Sequence, residues 1–145
     1  QNRGAGKLAR VRETLRRGMM LEGAYGVMIL CVTQLIKGPV MRLFAAQDSA
    51  AMVQMGVDYL TLMAFFYILP GMTNGIQGFF RGMGEMKTTL VCTLIQITIR
   101  TLIVFLLVPR VGITGAAWAC AIGWGFMLVY AAYRYRIVRR ALDEE

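Results

Sequence analysis

Residues 59–87, YLTLMAFFYILPGMTNGIQGFFRGMGEMK, decide the fold of this chain. The first 22 of them carry no formal charge. An α-helix of about 20 apolar residues is long enough to cross the hydrocarbon core of a bilayer. A short charged turn with two glycines follows, at residues 81–87. A long apolar helix that ends in a charged turn predicts an all-α, integral membrane protein.

The composition agrees with a membrane protein. Of the 145 residues, 57% are hydrophobic and 17% are charged, and the mean hydropathy is +0.56. A soluble domain carries more charge, about 25% of its residues. The net charge of +8 would suggest nucleic acid as a partner of a soluble protein, but here the basic residues lie between and beyond apolar runs. We therefore expect a lipid bilayer as the partner, and no nucleic acid.

One residue type on which many enzymes rely is missing from the sequence. The sequence has no histidine, which is the usual general base and a common metal ligand. Its three cysteines, Cys31, Cys92 and Cys120, stand singly within apolar runs. We interpret them as small buried hydrophobic residues rather than as a disulfide or a metal site. We predict no catalytic residue, no metal site, no cofactor and no enzymatic activity.

Four membrane spans are predicted, at residues 18–36, 59–80, 88–108 and 111–133. The other segments are a basic linker with an interfacial helix, an external loop with an amphipathic helix, a turn and a tail, at residues 1–17, 37–58, 81–87 and 134–145. Twelve Lys and Arg lie on the side of the linker, the turn and the tail, and three lie on the other side. Because cytoplasmic segments carry the excess of positive charge, both termini are predicted to be cytoplasmic.

Polar residues share one face of the second span. Tyr67, Pro70, Asn74, Gln77 and Arg81 follow one another at steps of three or four residues. Pro70 lacks a backbone N–H and its ring crowds the preceding turn, which predicts a kink. The Asn74 and Gln77 side chains either line a polar cavity or bond to a neighbouring helix. The predicted structural or hinge positions are Pro70, Gly71, Gly78, Gly82 and Gly84, and those of the cytoplasmic turn are Arg81, Glu85 and Lys87.

The third span has a second polar face, formed by Thr89, Thr93, Gln96 and Arg100. Arg100 lies about 18 Å into the span, where exposure to lipid costs about 2.5–3.5 kcal/mol. Glu22 is the one acidic residue within the predicted spans. It lies about 6 Å from the cytoplasmic edge of the first span, which leaves a vertical gap of about 12 Å to Arg100. Arg100 is therefore predicted to face protein or water, where it either bonds to backbone carbonyls or has its partner outside this chain. The cavity candidates are Tyr67, Asn74, Gln77, Gln96 and Arg100.

Small residues recur in the fourth span, at Gly115, Ala119 and Gly123. Small residues four positions apart allow two membrane helices to approach closely. We interpret this pattern as helix packing.

Three segments resemble motifs of one transporter family: QNRGAG at residues 1–6, LPGMTNGIQGFFRGMGEMK at 69–87 and GITGAAWA at 112–119. They are similar to the GQNxGAG, LP…G..RGxGDxK and GxxGAAxA patterns in the C-terminal part of the multidrug and toxic compound extrusion (MATE) transporters, in the same order. The first glycine of the first pattern is absent because the chain starts at Gln1. Glu85 stands in place of the usual aspartate.

The resemblance implies the last four spans of a twelve-helix, two-lobed transporter, whose N-terminal lobe is missing from this sequence. Members are multi-pass proteins of the cell membrane that expel small organic, often cationic compounds or drugs. They do so by antiport against Na⁺ or H⁺, through alternating access. Some members place a cation-binding acid in the helix that corresponds to residues 59–80, which has none here. The coupling-ion site is therefore expected to lie mainly outside these 145 residues.

Several alternatives remain open. A complete four-helix multidrug transporter acting as an oligomer would need a membrane carboxylate near mid-depth of its first helix, and Glu22 is predicted to be too shallow. A lipid-linked sugar flippase of the same superfamily shares the fold. A membrane scaffold without transport activity would not need the polar face from Thr89 to Arg100.

Overall fold

The computed structural model describes residues 1–44 and 50–144, with side chains up to residue 141. Five helices make up the described chain: α1 (Leu8–Phe44), α2 (Ala50–Phe66), α3 (Ile68–Gly82), α4 (Met86–Val111) and α5 (Thr114–Glu144). No strand occurs among these residues. The predicted all-α class is therefore confirmed.

Three of the helices, α1, α4 and α5, are long and apolar enough to cross a membrane. Helices α2 and α3 meet the same test when they are taken together as one bent span, which raises the number to four. This agrees with the expectation of a membrane protein.

The chain bends by 40° between α2 and α3, at Tyr67. Pro70 explains the position of the bend. Its nitrogen carries no hydrogen for the carbonyl of Phe66, four residues earlier, and its ring crowds that carbonyl. The Tyr67 N–H instead bonds to the Ala64 carbonyl at 3.4 Å, one residue short of the α-helical partner. The predicted kink thus lies one turn before the proline.

Helix α1 is longer than the sequence analysis predicted. The chain is helical from Leu8 to Phe44, whereas a loop was predicted from Lys37 onward. Pro39 is inside the helix, and contacts on both sides of it hold the helix against α2. Lys37 donates to the Thr61 hydroxyl at 2.7 Å, and Met41 lies against Gly56. Residues 45–49 of the predicted loop lie outside the described residues.

The last helix is also longer than its predicted span. Helix α5 continues without a break from Thr114 to Glu144, through the segment predicted as a separate tail. Helix α4 likewise continues past Pro109 to Val111. The change from apolar to charged residues at position 134 therefore does not mark the end of a helix.

Close contacts fix two antiparallel helix pairs. In α1 and α3, Gly26 lies against Ile68. In α4 and α5, Gly115 lies against Leu107 and Gly123 lies against Gln96 and Arg100. The packing interpretation of the small residues in α5 agrees with these contacts, because a methyl group on Gly123 would lie 2.9 Å from the Gln96 carbonyl oxygen.

Most buried side chains gather at the end of the bundle where α1 and α4 begin and α3 and α5 end. This cluster consists of Val11, Ile76, Phe80, Met83, Cys92, Met127, Ala131 and Val138. A second cluster of Met63, Ala117 and Trp124 lies beside the bend.

The interpretation of the cysteines as buried residues holds for Cys92 but is wrong for Cys31. Cys120 is half-buried. Cys31 lies on the outward face of α1, which the other described helices leave uncovered.

Candidate functional site

The contact between α1 and α3 places a carboxylate on a row of glycines. We call this helix contact the seam. It is formed by Met19, Glu22 and Gly26 of α1 and by Ile68, Gly71 and Gly75 of α3. A methyl group on Gly71 would lie 3.1 Å from Glu22 Oε2, and one on Gly75 would lie 3.6 Å from Glu22 Cγ. A methyl group on Gly26 would lie 2.8 Å from the Ile68 Cα, so the backbones approach closely just after the bend.

The predicted cavity residues of the bent span differ in their surroundings. Tyr67, at the bend, packs against the cluster that contains Met63 and Trp124. Asn74 is exposed and Gln77 is half-buried. Neither amide has a hydrogen-bond partner among the residues that the structure describes.

The predicted cavity residues of α4 lie at another contact. The Gln96 carbonyl and the Arg100 Cβ lie against Gly123 of α5, and both side chains are half-buried. On the same polar face, the Thr93 hydroxyl donates to the Thr89 carbonyl at 3.1 Å. The Thr89 hydroxyl itself is buried and has no hydrogen-bond partner in the described part of the chain. The structure therefore does not join the five cavity candidates through hydrogen bonds among the described residues.

The predicted hinge glycines have distinct local settings. Gly71 lies in the seam, while Gly78 and Gly82 line a cavity of about 320 Å³ between the N-terminal segment, α1 and α3. Gly84 has a backbone φ of +76°, which glycine adopts more easily than any other residue. Glycine is therefore favoured at position 84 because of the backbone conformation of the turn, and at position 71 because α1 lies close to it.

The turn between α3 and α4 is tied to the last helix. We call this the corner, formed by Glu85, Thr88 and Arg134. Thr88 Oγ1 donates to Glu85 Oε2 at 2.9 Å, and Arg134 donates to Glu85 Oε2 at 3.0 Å and to Thr88 Oγ1 at 3.2 Å. The Glu85 side chain is 37% exposed and that of Arg134 is 29% exposed, so this ion pair lies near the surface.

The N-terminal segment also contacts the turn. The Arg3 guanidinium donates to the Met83 carbonyl, next to Gly84. The other two charged residues of the predicted cytoplasmic turn, Arg81 and Lys87, are exposed. Glu85 was identified from the sequence, but its partner Arg134 was not, because 49 residues separate the two and no local spacing links them.

A polar link between α1 and α2 was also missed. The Lys37 ammonium donates to Gln34 Oε1 at 2.6 Å and to the Thr61 hydroxyl at 2.7 Å, and Gln34 donates to the Thr61 carbonyl at 3.2 Å. The spacing of Gln34 and Lys37, three residues apart, was a signal that the two side chains share a helix face. The sequence analysis assigned Lys37 to a loop and so did not use it.

Among the described residues, no three His, Cys, Asp or Glu side chains lie close enough together to hold a metal ion.

Comparison with known proteins identifies the family. The MatE family model matches residues 1–106, which include α1, α2, α3 and most of α4. No curated protein and no solved structure gave a match. The matched part contains the seam and the Glu85 and Thr88 side of the corner. The chain therefore belongs to the MatE family of membrane transporters.

Proposed function

We propose that this chain is part of a secondary active transporter that expels small organic, often cationic compounds from the cell. Transport would be an antiport against Na⁺ or H⁺. The observation that carries the proposal is the family match over residues 1–106. The family match favours this proposal over the alternative of a small oligomeric four-helix transporter.

The chain would form the last four spans of a twelve-helix protein in the cell membrane, with both termini in the cytoplasm. Two independent features support this arrangement. Twelve Lys and Arg belong to the segments assigned to one side, against three on the other. In the structure, Val11 near the start of α1, Met83 in the turn and Val138 near the end of α5 share one buried cluster. The start of α1, the turn and the end of α5 therefore lie at the same end of the bundle.

Substrates would meet the bent span. Asn74 and Gln77 support this role, because Asn74 is exposed, Gln77 is half-buried, and neither amide has a partner among the described residues. Gln96 and Arg100 of α4 would complete the lining together with Tyr67. The missing N-terminal lobe of the same chain would face this surface. Alternating access would then involve the 40° bend at Tyr67, with Pro70 and the nearby glycines as hinge positions.

The test is transport by the full-length protein that contains this segment, purified and reconstituted into liposomes. Efflux of a cationic dye is measured under an imposed proton gradient and, separately, under an imposed Na⁺ gradient. The proposal expects one of the gradients to drive dye movement. If neither gradient drives dye movement, and the same liposomes flip a lipid-linked sugar, the flippase alternative would replace drug antiport.

A further inference from the structure

Basic side chains mark the two points at which α1 leaves the hydrocarbon of the membrane. Arg17 is exposed, and the next basic residue along α1 is Lys37. The apolar helix between them is about 30 Å long, which equals the thickness of the hydrocarbon core of a bilayer. In the arrangement proposed above, Arg17 therefore lies at the cytoplasmic boundary of the core.

Contacts between helices relate this boundary to α3 and α4. Met19 of α1 lies against Gly75 of the antiparallel α3. Counted from this contact, Arg81 near the end of α3 lies about 6 Å beyond the level of Arg17, on the water side. The turn of residues 83–85 then leads to Lys87 in the first turn of α4. The polar headgroups occupy about 5–8 Å on each side of the core, so Arg81 and Lys87 lie within the headgroup layer.

Three basic residues at this level have no partner. We call them the collar, formed by Arg16 of α1, Arg81 of α3 and Lys87 of α4. All three side chains are exposed, and none forms a hydrogen bond or an ion pair within the described part of the chain. The acidic side chains described near the collar are already paired, Glu13 with Arg17 at 2.6 Å and Glu85 with Arg134 at 3.0 Å. The positive charge of the collar is therefore not compensated by these residues.

Two of the three basic residues at the other end of the bundle are bound within the protein. The Lys37 ammonium donates to Gln34 and to Thr61, at 2.6 and 2.7 Å. The Arg110 guanidinium donates to the Leu106 carbonyl at 2.6 Å. Within the described residues, the unpaired basic side chains at the edge of the core are thus concentrated at the end of the collar.

We propose that the collar binds the headgroups of anionic phospholipids in the cytoplasmic leaflet. Guanidinium and ammonium groups donate strong hydrogen bonds to phosphate oxygens. Each Lys or Arg near a negatively charged membrane surface contributes about 5-fold to binding. Exposed apolar side chains such as Met20 of α1 and Leu90 of α4 lie on the core side of the collar and can contact the acyl chains. A lipid therefore fits this surface better than a soluble polyanion.

The net charge of the headgroup distinguishes the lipids that fit. A zwitterionic headgroup carries an ammonium group, and the collar has no unpaired acid among the described residues to accept it. An anionic headgroup such as that of phosphatidylglycerol has no such group. This inference rests on the membrane arrangement given under the proposed function, and it adds the class of lipid that the transporter binds.

The test measures lipid binding by the full-length protein that contains this segment, in phosphatidylcholine bilayers with a small fraction of spin-labelled lipid. Electron paramagnetic resonance distinguishes lipid that is held by the protein from lipid that moves freely. We expect labelled phosphatidylglycerol to be held in preference to labelled phosphatidylcholine. The preference should weaken in 1 M NaCl, where the Debye length is about 3 Å. Equal binding of the two labelled lipids by the wild type would overturn the proposal.

Two variants that remove the same charge locate the binding surface. The collar variant combines Arg16→Gln, Arg81→Gln and Lys87→Gln, and the control variant combines Lys7→Gln, Arg10→Gln and Arg140→Gln. The control residues are also exposed, and they lie farther from the core. Arg10 is about 10 Å beyond Arg17 on α1, and Arg140 is about 9 Å beyond Arg134 on α5.

We expect the collar variant to lose about 5-fold of the preference for phosphatidylglycerol, and the control variant to keep most of it. A collar variant with the full preference, or an equal loss in both variants, would overturn the proposal. The salt dependence is measured on the wild type and does not require either variant to fold. None of these measurements involves transport, so they are independent of whether an ion gradient drives the dye.

Discussion

The seam and the corner each contain one glutamate, and the two glutamates have opposite surroundings. Glu85 accepts hydrogen bonds from Thr88 and Arg134 near the surface. Glu22 lies against glycines and has no such partner in the described chain. The paired carboxylate of Glu85 ties the turn to α5, whereas the carboxylate of Glu22 contributes to the seam through packing against Gly71 and Gly75. The corner therefore joins two segments through an ion pair, and the seam joins two helices through close packing.

The largest expected effect is on the packing of the seam. Gly26→Ala places a methyl group 2.8 Å from the Ile68 Cα, so α1 and α3 must separate. We expect a loss of about 1–3 kcal/mol in stability, measured by thermal unfolding of the full-length protein in detergent. Gly23→Ala on the same helix is the control, because a methyl group there meets nothing within 4 Å. Equal melting temperatures for the two variants would show that the seam is not tightly packed.

A smaller effect is expected from the backbone of the turn beside the corner. Gly84 has a φ of +76°, in which a residue with a Cβ is strained. Gly84→Ala is expected to cost about 1–2 kcal/mol. Gly82→Ala, whose added methyl group meets nothing within 4 Å, serves as the control in the same thermal assay. A Gly84→Ala protein as stable as the control would mean that the turn relaxes freely.

Removing the unbonded polar groups of the bent span tests whether they have a function. Tyr67, Asn74 and Gln77 are each replaced by Ala in the full-length protein, and dye efflux is measured at equal protein amounts. Loss of one hydrogen bond to substrate is worth about 0.5–1.5 kcal/mol, or about 2-fold to 12-fold in transport at low dye concentration. The exposed Arg136, replaced by Ala, is the control. Unchanged efflux for all three variants would remove this surface as a substrate contact.

The smallest effect is expected for the ion pair of the corner. A double-mutant cycle with Glu85→Gln and Arg134→Gln measures the coupling between the two side chains. Both are about one-third exposed, so solvent screening limits the coupling energy to about 1 kcal/mol or less. The coupling should decrease as NaCl is raised. A coupling of several kcal/mol would indicate that the corner is shielded from water in the full-length protein.

Much of the fold could be predicted because the features that determine it lie within single segments of the sequence. The uncharged run of residues 59–80 and the ring of Pro70 are local features, and they lead directly to an apolar helix with a bend. The turn at residues 81–87 could also be predicted, because it contains two glycines; one of them, Gly84, has a positive φ in the structure. The small residues of α5 indicated close packing because Gly115 and Gly123 are eight residues apart on one face.

What could not be predicted depends on contacts between distant segments. The contact of Glu22 with Gly71 sets the register of α1 against α3, and no local spacing in the sequence marks that register. The Glu85 and Arg134 pair spans 49 residues. The helical path through Pro39 depends on the Lys37 contact with Thr61, which outweighs the local tendency of Gly38 and Pro39 to end a helix.

The most direct test measures transport by the full-length protein that contains this segment, reconstituted into liposomes. Efflux of a cationic dye is followed under an imposed proton gradient and, separately, under an imposed Na⁺ gradient. We predict that one of the two gradients drives the dye, because the chain belongs to the MatE family. Failure of both gradients to move the dye would contradict the account.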